Sequence, residues 1–173
     1  MTSPYWLEDP LENRAERRLD GPVDVAVVGG GVTGCACARV LAEAGLRVRL
    51  HEARQIASGA SGRNGGFALR GGAAPYDVSA ESIGRGRAAA YWRATEQALD
   101  RIEALAGDAF ARTGSLRLAA DDEEREQLRR EYELLREDGF EVEWRDELPE
   151  PIRTLFSSSA MFHPPDGAVQ PAR

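Results

Sequence analysis

The chain has 173 residues, 42% hydrophobic content and a formal net charge of −7, a size that suits one ordinary domain or parts of two. The acid excess argues against nucleic acid as a main partner, and no apolar stretch approaches the length of a membrane span. All 22 basic residues are Arg, so this chain offers neither a Schiff-base amine nor a phosphate-loop lysine.

Residues 1–22 read as a polar, acidic arm lying on the surface. Arg17-Arg18 precedes an apolar run, but Asp20, Pro22 and Asp24 interrupt the approach to it, so no targeting segment is read and a cytoplasmic location is expected. Val23, Val25, Val27 and Val28 predict a buried strand. It runs directly into Gly29-x-Gly31-x-x-Gly34. Gly29 allows a tight turn, Gly31 lets backbone approach a pyrophosphate, and Gly34 allows close helix–strand packing. Ala36 to Ala44 then predict a helix stopped at Gly45. Leu46, Val48 and Leu50 alternate with Arg47, Arg49 and His51 as a second strand closed by Glu52. A carboxylate there accepts hydrogen bonds from a ribose and repels a 2′-phosphate. The pattern is that of a dinucleotide-binding βαβ unit; the alternative is the same unit with its glycine turn kept for shape alone.

Cys35 and Cys37 lie two apart on the predicted helix, so they point away from each other and neither pair up nor share a metal. They are read as small buried packing residues. His51 and His163 are too few and too scattered for a metal site, and none is expected. Residues 55–75 are too glycine-rich for a regular element. Within them, Ser58 to Gly66 form a run of small residues with accessible N–H groups, suited to wrapping a flat or phosphorylated ligand; the alternative is a mobile surface loop. Arg63 is placed to offset pyrophosphate charge or hold a carboxylate, and Asn64 both donates and accepts.

Helical spacing of Tyr91, Trp92, Thr95, Ala98, Leu99, Ile102 and Leu105 predicts a helix over 79–106, well formed from about Arg87. Residues 114–119 read as a strand. Asp121 or Asp122 caps a charged helix to about Glu137, with Leu128, Tyr132 and Leu135 as its apolar stripe and the rest of its charge solvated. Gly139 ends it. Phe140, Val142 and Trp144 alternate as a strand, Leu148 to Phe156 predict a short helix or turn, and Ala160 to Phe162 are strand-like. Pro164 to Gly167 make a turn, after which residues 168–173 run on without regular structure.

The segments VVGGGVTG, LHEA and SGASGRNGG together strongly resemble the FAD-dependent amine and D-amino-acid oxidase superfamily, which includes glycine, sarcosine and γ-glutamylputrescine oxidase-like proteins. RAAAYWRATEQALDRIEAL, TGSLRLA and HPPDGAVQPAR extend the resemblance over nearly the whole chain from residue 23. It implies an α/β fold: a Rossmann-like FAD-binding βαβ unit with its flavin loop at 23–75, then part of an α+β substrate domain at 76–173. It also implies that Gly29, Gly31 and Gly34, with Val32 and Thr33 between them, line the FAD pyrophosphate. Glu52 takes the ribose, with Ala53 and Arg54 towards the adenosine. Ser61, Gly62, Arg63, Asn64 and Gly65 approach the rest of the FAD, towards the flavin. Some relatives attach flavin through a His in this loop; none stands at 55–75, so non-covalent FAD is expected.

The activity implied is oxidation of a C–N bond in a small amine or amino acid. Hydride passes from the α-carbon to the flavin, the imine hydrolyses, and O₂ or another acceptor reoxidises the cofactor. No residue stands out as catalytic acid or base. Arg63 and Tyr91 are the weak candidates, and packing is the better reading of Tyr91. Family members are longer, so the chain reads as a truncated, N-terminal portion, with a separate C-terminal half or an oligomer as a possible partner. The alternatives are an NAD-dependent dehydrogenase fragment, or a non-catalytic FAD-binding remnant or subunit.

Overall fold

A computed structural model describes residues 5–8, 20–155 and 159–173. Most of the predicted N-terminal arm, and Phe156, lie outside the described residues. The chain divides into two compact units: the described residues up to Gly66 together with Gln170–Arg173, and Phe67–Val169.

The first unit is a βαβ turn. Strand β1 (Val25–Val28) leads into helix α1 (Val32–Glu43), and β2 (Val48–His51) returns parallel to β1 with Val25 opposite Val48 and Val28 opposite His51. The crossover demands a short strand, a glycine turn and a helix stop, and each is present. Gly29 has φ +107° and Gly45 φ +86°, conformations in which an L side chain is strained. The Gly45 and Leu46 N–H groups close the last turn of α1 on Ala42 and Leu41 carbonyls. Asp24 pins the entry to the pair, accepting from the Arg47 backbone N–H at 2.9 Å and from its guanidinium at 2.7 Å. Arg47 holds the Asp24 carboxyl below the usual carboxylate range.

Two expectations need correction in this unit. The β1 strand is not buried: Val25 and Val27 are half-buried, while Val28 is 86% exposed. The cause is topological. β1 has β2 as its one paired neighbour among the described strands. Val27 faces α1, and the alternate residues Ala26 and Val28 face outward. Nor are the cysteines buried packing residues. Cys35 is half-buried, Cys37 is exposed, and both are free thiols.

The second unit is α+β. Strands β3 (Phe67–Ala68), β4 (Phe110–Ala111) and β8 (Gly167–Val169) form an antiparallel sheet in the order β3-β8-β4. Strands β5 (Ser115–Leu118), β6 (Glu143–Arg145) and β7 (Ala160–His163) form a second one in the order β5-β7-β6. Helices α2 (Tyr76–Ile83), α3 (Arg85–Ala106), α4 (Asp122–Glu137) and the short α5 (Ile152–Leu155) complete it. The main core joins Tyr76, Trp92, Leu128, Leu135, Phe140 and Met161; a smaller one joins Ala68, Leu99 and Phe110.

Here too the structure departs from the pattern in the sequence. The single helix expected over 79–106 is two helices that begin at Tyr76 and break at Gly84, where φ is +89°. The glycine-rich stretch 55–75 holds a 3-10 turn at Ala60–Gly62 and strand β3. The strand expected over Phe140 to Trp144 is shorter, at Glu143–Arg145. Residues 167–169 are the central strand of a sheet and not an irregular tail. The charged face of α4 is not wholly solvated: Glu131 is buried, accepting from the Tyr76 N–H at 2.8 Å and pairing with Arg117.

Candidate functional site

The site grows out of the turn between β1 and α1. The Gly29 N–H still donates to the His51 carbonyl at 2.8 Å, so the strand pairing holds up to the turn. The next N–H, Gly30, donates to Glu52 Oε2 at 2.7 Å. Glu52 Oε1 accepts from the Arg54 N–H at 2.9 Å. These backbone donors, Gly30 first, pull the Glu52 carboxyl below the usual carboxylate range, so it is ionised at neutral pH. Each carboxylate oxygen offers more than one acceptor direction. Glu52 therefore braces the glycine turn and still has lone pairs for a hydroxyl donor.

On the other side of the turn stands the loop 57–66. The Ala57 N–H donates to the Gly30 carbonyl at 2.9 Å, stitching the loop's start to the turn. Ser61 Oγ accepts from the Val32 N–H at 2.9 Å, at the first turn of α1. A hydroxyl that accepts one bond keeps its own proton to donate. The N-terminal end of α1 carries the positive end of the helix dipole, which favours an anion. Ser61 thus adds a donor to a place already suited to phosphate.

Two glycines have distinct reasons to be glycine. A Cβ on Gly34 would meet the Gly29 carbonyl oxygen at 1.9 Å, so the turn itself forbids a side chain. A Cβ on Gly31 would meet only Ser61 Oγ, at 3.1 Å. Gly31 keeps its surface clear for what lies next to Ser61. Val32 and Thr33 open α1 and are exposed.

The loop is held by its own side chains. Asn64 Nδ2 donates to the Ser61 carbonyl at 2.7 Å, and Asn64 Oδ1 accepts from the Gly66 N–H at 2.8 Å. Arg63 Nε donates to the Ser58 carbonyl at 2.8 Å, so this bond of its guanidinium is spent inside the loop. Gly62 is buried, with the Ala57 carbonyl 2.3 Å from where its Cβ would stand. Gly65, Ala53 and Arg54 are exposed.

The structure thus brings Gly29, Gly31, Val32, Gly34, Glu52 and Ser61 around one turn, with Gly62 to Gly65 in the loop continuing from Ser61. Tyr91 belongs to the other unit, on α3, is 48% exposed and meets Trp92 edge to face. Half exposed, it keeps the ring contact that the packing reading expects. Sequence reasoning missed Gly30, whose N–H is the first anchor of Glu52. The signal available was the uninterrupted Gly29-Gly30-Gly31 run. It also missed Trp6, whose indole N–H donates to the Asn64 carbonyl at 2.8 Å. The Tyr5-Trp6 pair in an otherwise polar segment was the available sign.

Among the described residues no helix is long and apolar enough to cross a membrane. None of their acidic, His and Cys side chains group in threes suited to a metal ion.

The sequence model of the family described as DAO, FAD dependent oxidoreductase, matches residues 24–173. Gamma-glutamylputrescine oxidoreductase of Escherichia coli K12 is 39% identical over 105 residues, covering 58% of this chain and 25% of that protein. The solved glycine oxidase of Geobacillus kaustophilus superposes with a TM-score of 0.64 at 29% identity, over 87% of this chain and 41% of that one. L-alpha-glycerophosphate oxidase of Mycoplasma pneumoniae, solved with FAD bound, shares the fold with a TM-score of 0.62 at 20% identity. The chain therefore spans about a quarter of the curated relative and less than half of the glycine oxidase.

Proposed function

Because this chain belongs to the FAD-dependent oxidoreductase family, we propose that its βαβ unit and the loop after it hold FAD without a covalent bond. They would do so as the N-terminal part of an oxidoreductase acting on a C–N bond of a small amine or amino acid. The observation that carries the reading is the convergence of ionised Glu52 and the Ser61 hydroxyl on one glycine turn. Gly31, Val32 and Ser61 would hold the pyrophosphate, with Gly29 and Gly34 shaping the turn. Glu52 would accept from the ribose, with Ala53 and Arg54 beside it. Gly62 to Gly65 would carry the loop on towards the flavin.

FAD, when bound, supplies the two-electron acceptor for the hydride of the amine. The chain's own residues bind and orient. The α1 N-terminus and Ser61 offset phosphate charge, and Glu52 selects an unphosphorylated ribose. Residues 23–75 form the cofactor portion in this reading, and 76–173 form part of a substrate domain. The substrate class rests on the similarity to a γ-glutamylputrescine oxidoreductase and a glycine oxidase. Both relatives are matched over a minority of their length, so turnover is proposed for this chain together with the rest of such an enzyme, in the same polypeptide or a separate one.

The test is the absorption spectrum of the purified chain after FAD is added and the excess removed. Retained flavin with shifted visible bands is the expected result. Folded protein that emerges without flavin would refute the site.

A further inference from the structure

We propose that Trp6 is a positioning residue for the candidate cofactor loop, and that residues 5–7 are a strap holding Ser61 in register with the first turn of α1. The inference rests on the FAD reading above and adds to it a segment that precedes the βαβ unit in the sequence.

Three contacts carry it, all within the first unit. The Trp6 indole N–H donates to the Asn64 carbonyl at 2.8 Å. The Trp6 carbonyl accepts from Gln170 Nε2, also at 2.8 Å. Leu7 Cδ2 lies 3.0 Å from where a Cβ on Gly62 would stand, so its methyl occupies the space this glycine leaves. The 3-10 turn Tyr5–Leu7 is thus clasped from two sides by residues far away in sequence. Tyr5 packs edge to face on Trp6, with ring centroids 4.9 Å apart, and stiffens the turn.

What Trp6 grips decides its role. Asn64 is the residue whose side chain ties the loop together, through the Ser61 carbonyl and the Gly66 N–H. Ser61 in turn meets the Val32 N–H with its hydroxyl. A continuous path of hydrogen-bonding residues therefore runs from Trp6 through Asn64 and Ser61 to the helix N-terminus. Trp6 meets the loop at the Asn64 carbonyl and touches none of the groups assigned to the pyrophosphate or the ribose. It acts by fixing the Asn64 main chain, and so the position of the Ser61 hydroxyl beside the first turn of α1. A loop made largely of Gly, Ala and Ser has much conformational freedom to lose on binding. A strap that removes this freedom beforehand improves cofactor retention without adding a contact to the cofactor.

The test compares the full chain with Trp6→Phe, which keeps an aromatic ring and lacks the N–H. Gln170→Leu is the second variant, loosening the strap from its other side. Asp121→Ala, a helix-cap change in the other unit, is the control for general destabilisation. Amide hydrogen exchange is measured without FAD, and FAD retention is measured by repeated buffer exchange. In Trp6→Phe the amides of Val32, Gly62, Arg63 and Gly66 are expected to exchange roughly tenfold faster, as loss of one hydrogen bond implies. Amides of 128–135 should stay unchanged, and FAD should dissociate faster by a similar factor. Asp121→Ala should leave the loop unchanged. Loop exchange equal to that of the unaltered chain overturns the strap, as does equal FAD retention by Trp6→Phe and the unaltered chain. An unaltered chain that retains no FAD refutes the cofactor reading instead, while loop exchange still decides the strap.

Discussion

At the scale of single residues, Gly34, Gly31 and Glu52 separate shape from binding. Gly34→Ala places a methyl 1.9 Å from the Gly29 carbonyl oxygen, so it is expected to break the turn and lower the stability of the βαβ unit. Gly31 has φ −82°, which any L residue adopts. Gly31→Val should therefore leave the fold in place, displace Ser61 from the Val32 N–H and abolish FAD retention. Glu52→Ala should weaken retention and free the Gly30 and Arg54 N–H groups. Circular dichroism beside flavin absorbance distinguishes these outcomes; normal flavin retention by both Gly31→Val and Glu52→Ala would remove the site assignment. His163 makes a different kind of prediction. It is buried in the second unit, with Nδ1 2.8 Å from Arg70 Nη2. Arg70 can only donate, so Nδ1 accepts and the ring is neutral. Burial, with Arg70 and Arg117 nearby, pushes its pKa down to about 3, against about 6.5 for an unfolded chain. Between those values the unfolded chain binds a proton that the folded chain refuses. Stability should then fall as pH falls below about 6.5, by about 1.4 kcal/mol per pH unit. His163→Gln keeps an acceptor for Arg70 and removes the titration. Urea unfolding between pH 7 and pH 5 should give a flatter dependence in the variant; equal slopes would show that the folded protein accepts the proton.

At the scale of elements, helix α4 shows how much of the fold local chemistry can specify. Asp121 Oδ1 accepts from the Glu124 N–H at 2.9 Å, and Glu124 Oε2 accepts from the Ala120 N–H at 2.8 Å, a reciprocal cap at the helix start. Asp121→Ala should cost about 1 kcal/mol in urea unfolding of the second unit; a loss below a few tenths would mean the packing of Leu128 and Leu135 sets the helix end by itself. Elements of this kind were legible in the sequence because cap, stripe and stop lie within one continuous segment. The βαβ unit was legible for the same reason, from Val25 through Gly29 to Glu52. The break at Gly84 was legible in part: Gly84 and Gly86 put the start of the well-formed helix near Arg87, but the apolar spacing begins only at Tyr91, so the separate helix Tyr76–Ile83 was not read. Strands β3, β4 and β8 were not legible either. Each is two or three residues long, too short for a period, and pairs with residues far away: Phe67 with Ala168, Phe110 with Val169. Burial of Glu131 depends on Arg117 and the Tyr76 N–H, which the sequence alone does not bring together. In the candidate site the glycines and Glu52 were readable, while the roles of Gly30 and Trp6 depended on contacts that only the folded loop creates.

At the scale of the whole chain, the two units differ in what holds them. Both clusters of buried apolar side chains among the described residues lie in Phe67–Val169. In the first unit the apolar side chains of β1 and α1 stay at least partly exposed, with Val28 at 86%, Val32 at 71% and Val40 at 63%. A two-stranded parallel pair with one covering helix buries too little apolar surface to offset the entropy of ordering its backbone by much. Its hydrogen bonds converge instead on the glycine turn and the loop, where FAD is proposed to bind. The first unit is therefore expected to be the less stable of the two, and cofactor binding should act on it alone. Unfolding in urea, followed by amide exchange, should show residues 25–51 opening at lower denaturant than residues 128–135. Added FAD should raise only the first transition, by about 2.7 kcal/mol at a hundred times its dissociation constant. The second transition should not move, because linkage stabilises only the part that binds. A single transition seen at both segments, or an equal shift of both on adding FAD, would show that the chain folds as one cooperative body and that the cofactor holds all of it together.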